Sequence, residues 1–528
     1  MGTDKGLERN LCRRTNVGNL FTYKANIVPD KPALKFREKT YTYLELNQSA
    51  NKLANALLKT GIEKGDRITI LSHNCDNYPV IWIACMKIGA ILAPINWNYK
   101  SDEIMYLMNH CEPTIFFVED EFIDNIEELK GEIKSVKTYV KIQLGQNINT
   151  NGWLDYNELI SGEKDSTEPE VLVYDDDPAL LMYTSGTESA PKGVLKSHLD
   201  IMSSLMTVPI NTLYQENDVQ LVALPLFHYA GLWPIVSTAA VEGLLVIIHM
   251  PELEEILKIT QKEKVNIWVW PVTIYVNLLQ VPDFEKYDLK SLRMCNIFGS
   301  AVPPELIKKW KEINPGVLFQ NGYGLTESSH ICCITGDEYE ANLNSVGKAK
   351  WGAVIKIFDK EGKEAPRGKV GEIVVRSPTN MLGYYRDEEK TAQTMKSGWL
   401  HTSDLGYMDE DGYLYFSDRI KDMVKTGGEN VASAEVEKIL YENSKVLEVA
   451  IIGLPHNIWV EAVTAVIVPV PGGDLKEDEL MSWCKERMAG FKVPKKVIIL
   501  DDLPKNPSGK ILKKELREIY KDVFTSSS

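Results

Sequence analysis

The chain has 528 residues, 44% hydrophobic and 25% charged, values that exclude collagen-like, coiled-coil and largely disordered architectures. Its formal charge of −15 argues against a protein built on a basic nucleic-acid-binding face. Eight cysteines without a CxxC pair fit a reducing compartment, and the length exceeds what one core organises.

The N-terminal "MGTDKGLERNLCRRTNVGNL" has no apolar secretory segment, and Gly6 stands where a myristoylation signal starting at Gly2 needs Ser or Thr. In "TYLELNQSANKLANALLKTG", Leu46, Ala50, Leu53, Ala54 and Leu57 recur at helical spacing up to Gly61. Strand "RITIL", helix "YPVIWIACMKIGA" and strand "ILAPI" follow, and this alternation predicts a largely parallel sheet covered by helices. The acidic stretch "SGEKDSTEPEVLVYDDDPA" reads as a surface loop, leading to a short strand from Leu180 to Tyr183. The apolar run from Gly231 to Met250 is broken by Pro234, Glu242 and Gly243, which predicts a buried helix and a buried strand rather than a membrane span. "NIWVW" and "MCNIFG" continue the strands; beyond Val346, "GEIVVR" and "GYLYFSD" indicate a β-rich piece. Helices "SAEVEKILYEN" and "DELMSWCKERM" with strands "VLEVAIIGLP", "AVTAVIVPV" and "KKVIILDDLP" form a separate small α/β unit. The fold class is α/β: a large N-terminal domain of parallel-rich sheets layered with helices, a β-rich subdomain, and a small C-terminal α/β domain.

Chemistry concentrates in a few loops. "YTSGTESAPKGV" supplies a glycine whose backbone lets N–H groups converge on an anion, several hydroxyls, and Lys192. It is not a Walker A loop, because Pro191 occupies the second glycine position, and alone it would equally suit a surface turn. In "NGYGLTES" Tyr323 lies between two glycines that admit a flat ligand, and Glu327 offers the hard oxygen that a Mg²⁺–nucleotide needs. "GWLHTSDLG" places Asp404 where a ribose diol could be held. "SDRIKDMVKTGGENV" and "PKNPSGKILKKEL" each set glycine beside lysine.

In this order, "TSGTESAPKG", "NGYGLTES", "GWLHTSDLG", "DRIKDMVKTGGENV" and "PKNPSGKI" resemble the adenylate-forming superfamily of acyl-CoA synthetases, luciferases and peptide-synthetase adenylation domains. The resemblance runs from "YTYLELN" to Lys510. It implies that the loop from Thr184 to Lys192, with Ser185, Gly186, Thr187 and Glu188, wraps the β- and γ-phosphates of ATP. Gly299, Asn321, Gly322 and Gly324 would surround the nucleotide, Tyr323 would stack on adenine, and Thr326 would contact the α-phosphate. Glu327 and Thr187 would hold Mg²⁺, Asp404 and Arg419 the ribose, and Lys510 would stand between the substrate carboxylate and the α-phosphate. The acid would lie among Phe227, His228, Tyr229, Gly299, Ser300, Ala301 and Ser329. A pivot at Lys421 would divide the chain into domains 1–420 and 421–528 and carry Lys425, Gly427, Gly428 and Glu429 toward the pantetheine arm of coenzyme A.

Glu188 and Ser189 stand where the family commonly has Thr-Gly, a change that bears on ATP affinity. "FHYAGLW" offers no acid to a substrate ammonium, and no Lys or Arg occurs among the lining candidates, so neither an α-amino acid nor a dicarboxylate is expected. The expected activity is therefore an AMP-forming acyl-CoA synthetase, an acid–thiol ligase acting on a monocarboxylic acid, first of all a medium- or long-chain fatty acid. Alternatives are an aryl-acid CoA ligase and an acyl-AMP ligase loading a carrier protein; a non-catalytic sensor need not keep Lys510 and Glu327 together. A cytoplasmic monomer or homodimer is expected, without nucleic-acid partners or a transmembrane segment, though compatible with peripheral membrane contact.

Overall fold

The computed structural model describes residues 5–145, 150–184, 191–207, 212–299, 302, 304–473, 475–506 and 509–524. The helix read from periodicity spans Tyr43–Lys59 and starts in a capping box: Thr42 Oγ1 accepts from Glu45 N at 3.2 Å, and Glu45 Oε2 accepts from Thr42 N at 2.9 Å. Its predicted stripe from Leu46 to Leu57 is buried, each leucine contributing about 1.5–3 kcal/mol of transfer free energy. The next helix, Asn77–Ile88, is buried on every side, so its sequence is apolar throughout rather than striped.

An eight-stranded sheet contains β1 (Pro178–Thr184) and β2 (Lys192–Ser197), which pair antiparallel at one side of an otherwise mostly parallel set. β2 runs directly into helix α1 (His198–Met206), and helix α2 (Tyr229–Ala240) follows. A nine-stranded sheet includes β3 (Ile267–Pro271), β4 (Met294–Phe298) and β5 (Leu318–Leu325), parallel to one another, then β6 (Ser329–Thr335), antiparallel to β5. One continuous core joins the facing surfaces of both large sheets through α2 and the helices Val17–Ile27, Tyr43–Lys59 and Asn77–Ile88. The other face of the nine-stranded sheet has its own core, around Trp268, Trp270 and Trp310.

A five-stranded antiparallel sheet carries β7 (Trp399–Met408) and β8 (Leu414–Arg419). A separate small sheet carries β9 (Val424–Thr426) and β10 (Glu429–Val431), together with strands Val446–His456, Val460–Pro469 and Lys496–Ile499. This is the expected architecture: large α/β layers, a β-rich piece and a small α/β unit. The apolar run beginning at Gly231 is indeed a helix followed by a strand, Leu244–Ile247, and no helix among the described residues is long and apolar enough to cross a membrane.

Candidate active site

Thr184 at the end of β1 pairs with Lys192 at the start of β2, so the hydroxyl-rich segment is the connection of a hairpin. Ser185, Gly186, Thr187, Glu188 and Ser189 of that connection, and Ser300 and Ala301 of the acid-pocket set, lie outside the described residues. The base of the hairpin is tied to the "NGYGLTES" segment. Lys192 Nζ lies 5.8 Å from the centre of the Tyr384 ring, and the Tyr384 hydroxyl donates to Glu327 Oε1 at 2.9 Å. That leaves Glu327 Oε2 without a hydrogen-bond partner among the described residues, a hard oxygen donor suited to a divalent cation.

Beneath this segment lies Lys196, which sequence reasoning missed. Its Nζ is buried and donates to the carbonyls of Thr326 and Thr379, each at 3.3 Å, with Asp200 Oδ2 at 3.7 Å. The signal was its parity with Val194, which puts a charge on the apolar side of β2.

Tyr323 on β5 is buried, and its hydroxyl donates to Asp404 Oδ2 on β7 at 2.7 Å. Asp404 pairs in register with Arg419 on β8, whose Nε lies 3.5 Å from Asp404 Oδ1. Burial pushes the Asp404 carboxyl up, and Arg419, Tyr323 and Lys510 pull it back. The expected ribose pair and adenine platform are thus one connected group. Asn321 is anchored beside them through its Nδ2, which donates to the Ser345 carbonyl at 3.2 Å.

The small domain reaches the same cleft. Gly509 adopts φ +80° and lies so close to the end of β3 that a Cβ there would sit 3.2 Å from Pro271 Cγ and 2.9 Å from Oγ1 of Thr273 in the helix Val272–Leu278 that follows. Lys510 is set in a reciprocal turn: its N–H donates to Asn506 Oδ1 at 2.9 Å, and its carbonyl accepts from Asn506 N at 2.8 Å. Solvent reaches the side chain, yet the cleft walls enclose it, and that enclosure, together with Arg419 and Lys421, holds the ammonium down to about 7. Lys510 also bears on His228, whose imidazole is held down to about 4, first by burial and then by that lysine. Lys510 thus bears on both Asp404 and His228, the histidine expected at the acid pocket.

His228 caps α2, its Nδ1 accepting from Ala230 N at 3.2 Å. Phe227 meets Trp97 edge-on at 4.6 Å between ring centres, and the Tyr229 hydroxyl accepts from Ser329 Oγ at 3.2 Å. On the face of the nine-stranded sheet that looks toward α2 there is a polar row that sequence reasoning did not find. Thr238 of α2 donates to Gln220 Oε1 at 2.8 Å, and Asn296 Nδ2 donates to Gln320 Oε1 at 2.7 Å. Gln320, Gly322 and Gly324 alternate on this face of β5, and the His330 ring of β6 fills the space above Gly322, where an added Cβ would lie 1.7 Å from Nε2. Behind it, Lys350 Nζ lies 3.3 Å from His330 Nδ1. Lys350 arrives from the chain after an edge strand paired with β6, a register that local sequence does not encode.

The remaining expected group is not brought to the cleft. β9 and β10 form a hairpin whose two loop residues, Gly427 and Gly428, have φ +59° and +87°, the geometry that a tight hairpin demands. Its bonds from Lys425 N to Glu461 Oε2, at 2.7 Å, and from Gly427 N to the Trp459 carbonyl, at 2.9 Å, stay within the small domain. Lys421 lies in the exposed turn between β8 and β9.

Two large α/β layers, an antiparallel sheet presenting Asp404 and Arg419, and a small domain that delivers a lysine over the cleft define an ATP-dependent adenylate-forming enzyme. The chain belongs to the AMP-binding enzyme family: the model for that family matches residues 21–385, and the model for the AMP-binding enzyme C-terminal domain matches residues 435–510. It is accordingly an acid–thiol ligase that uses ATP and CoA and activates a carboxylic acid as its acyl-AMP. A feruloyl-CoA synthase from an Amycolatopsis species is 32% identical over 96% of this chain and 100% of its own. The anthranilate CoA ligase AuaEII, solved with anthranoyl-AMP, superposes with a TM-score of 0.89 at 29% identity, covering 97% of this chain and 98% of its own. MatB from Rhodopseudomonas palustris, 29% identical over 97% of this chain and 100% of its own, gives 0.86 in its ATP-bound structure but 0.76 without ligand. This chain is thus arranged more like the ATP-bound MatB structure than like the apo one.

Proposed function

We propose that this enzyme is an aryl-acid–CoA ligase, and that the cleft residues act as the family resemblance implies. The observation that carries the choice of acid is the polar row under α2. The His330 ring fills the space above Gly322, and Asn296 and Gln320 beside it are polar, so these residues line no apolar channel for a long alkyl chain, a limit that a short flat acid does not meet. The relatives support this reading, since feruloyl-CoA synthase and anthranilate CoA ligase are named for aromatic acids. It replaces the expectation of a fatty acid.

In the first step a carboxylate oxygen of the acid attacks the α-phosphorus of ATP; the bond to pyrophosphate breaks, and an acyl-AMP mixed anhydride remains. Two anions converge in that step, and Lys510 supplies the positive charge where it develops. Asp404 and Arg419 hold the ribose, with Tyr323 fixing the orientation of Asp404. Lys196 fixes the backbone of Thr326, and Tyr384 steadies Glu327. Glu327 would hold Mg²⁺, which, when bound, neutralises charge on the phosphates. In the second step the CoA thiol attacks the acyl carbonyl and AMP leaves with the electron pair, while the thiol proton goes to solvent. That step requires the small domain, residues 421–528, to turn about Lys421, withdrawing Lys510 and bringing the Gly427–Gly428 hairpin to the acyl group.

Pyrophosphate release from ATP and Mg²⁺ is the test, measured over benzoates, cinnamates and straight-chain acids, with and without CoA. Multiple turnover with aromatic acids only when CoA is present supports the reading; turnover confined to straight-chain acids overturns the choice of acid, and indifference to CoA overturns the choice of acceptor.

A further inference from the structure

Outside the residues assigned above, His73, Glu119 and His249 bring three metal-ligating groups together, with one donor atom of each lying within 4.8 Å of the others. Glu119 ends strand Ile115–Glu119 and His73 follows strand Arg67–Leu71, both of the eight-stranded sheet, whereas His249 follows Leu244–Ile247 of the nine-stranded sheet. The cluster therefore bridges the two large sheets. Glu119 is 2% exposed, and among the described residues no lysine or arginine lies within ion-pair distance of it. Its Oε2 accepts from Ser72 Oγ at 3.0 Å and from His73 N at 2.6 Å, which fixes the carboxylate and turns Oε1 toward the rings. Oε1 lies 3.3 Å from His73 Nδ1 and 3.6 Å from His249 Nε2. Bonds of about 2.0–2.2 Å to a tetrahedral zinc ion set its ligand atoms about 3.3–3.6 Å apart, so these separations need little adjustment.

The orientation of His249 is a second, independent indication. Its Nδ1 lies 3.0 Å from the Asn74 carbonyl, which can only accept, so Nδ1 carries a proton. In the neutral ring Nε2 then turns a lone pair to a carboxylate oxygen, an arrangement that repels unless a proton or a metal ion lies between them. At 3.6 Å the two atoms are too far apart for a hydrogen bond, yet they match neighbouring ligands of one ion. An imidazole fixed by a carbonyl on its far side is the support that metal-ligating histidines ordinarily receive. His249 is partly open to solvent, and the exposed Glu121 has its Oε2 3.7 Å from His73 Nδ1, which provides an entry path and a further oxygen within reach.

We propose that His73 Nδ1, His249 Nε2 and Glu119 Oε1 bind one zinc-class divalent cation that clips the two large sheets together. Two imidazoles with a carboxylate suit zinc better than the hard magnesium ion that accompanies ATP. On binding, His73 gives up its Nδ1 proton to solvent. The clip adjoins the expected acid pocket through Asn74, whose Nδ2 donates to the Leu224 carbonyl at 2.9 Å and whose Oδ1 accepts from Leu226 N at 2.8 Å, next to Phe227.

The test is Zn²⁺ uptake by the tag-free, nucleotide-free full chain, measured by competition with a chromogenic chelator, thermal unfolding and X-ray absorption. One equivalent should bind in the presence of excess Mg²⁺ and raise Tm, with two imidazoles in the absorption spectrum of the zinc form. His249→Gln, which keeps an N–H for the Asn74 carbonyl, should weaken Zn²⁺ binding by at least about a hundredfold, and Ser72→Ala, which loosens Oε2, by about tenfold. His401→Gln, at a separate His401–Glu372 pair, should leave the affinity unchanged. No uptake by the wild type overturns the site and leaves the contact to a protonated His249. Undiminished uptake in His249→Gln, or loss of uptake in His401→Gln, puts the ion elsewhere and equally overturns it. Should His249→Gln fail to fold, the wild-type absorption spectrum decides, because fewer than two imidazoles contradicts the ligand set.

Discussion

The Tyr323 hydroxyl donates to Asp404 Oδ2 at 2.7 Å, which ties the nine-stranded sheet to the five-stranded sheet at the floor of the nucleotide cleft. Removing it in Tyr323→Phe leaves a buried carboxylate with Arg419 as its remaining charged partner on β8 and costs about 1–3 kcal/mol of stability. The expected signature is a lower Tm together with a higher KM for ATP and little change in KM for the acid, checked by thermal unfolding and steady-state exchange.

Lys510 gives a pH dependence of definite sign. Its ammonium is held down to about 7, so it is charged below that pH and neutral above it. For the free enzyme, kcat/KM for ATP should therefore fall by about tenfold per pH unit well above pH 7. Lys510→Arg, which stays charged, should flatten that limb even if its rate is lower. Lys510→Met should lose adenylation by about a hundredfold or more yet still transfer acyl groups to CoA from chemically made acyl-AMP.

Lys196→Met should be among the most destabilising changes in the large domain. It strands Asp200, which is 3% exposed, and frees the Thr326 and Thr379 carbonyls, at a cost of about 3–5 kcal/mol. Burial lowers Lys196 and raises Asp200, each partner opposing the other's shift, so the double change Lys196→Met with Asp200→Asn should recover much of the loss in denaturant midpoint.

Gly322→Ala places a Cβ 1.7 Å from His330 Nε2, which forces the ring aside. The acid KM should rise much more than the ATP KM, and combining the change with His330→Ala should restore room for the methyl group. Equal effects on both substrates would show that the backbone next to Tyr323, rather than the acid crevice, had moved.

The candidate nucleotide side of this site was readable in the sequence because phosphate and ribose binding depends on short contiguous patterns. Tyr323 with its flanking glycines, Asp404, Arg419 and Lys510 could be picked out before their contacts were known, and the structure gathers them around one cleft. The helix Tyr43–Lys59 was equally legible, because its buried stripe is local and periodic. The acid side was not. His330 and Lys350 meet only because an edge strand pairs with β6, and Asn296 reaches Gln320 only across neighbouring parallel strands. Lys196 could have been noticed by strand parity, but the carbonyls it holds come from two distant loops.

The Gly427–Gly428 hairpin and Lys510 ride on the same small domain, yet only the lysine is at the cleft. In the proposed mechanism a single moving part serves two reactions, which imposes a schedule: while ATP is being consumed, the thiol has no seat. On that schedule excess CoA would not hurry the first event, and the activated acid would wait exposed to attack by returning pyrophosphate and by stray water. How economically the enzyme spends its nucleotide would then be governed by the interval between departure of pyrophosphate and the proposed turn at Lys421, a quantity that single-turnover traces of AMP and thioester formation would time directly.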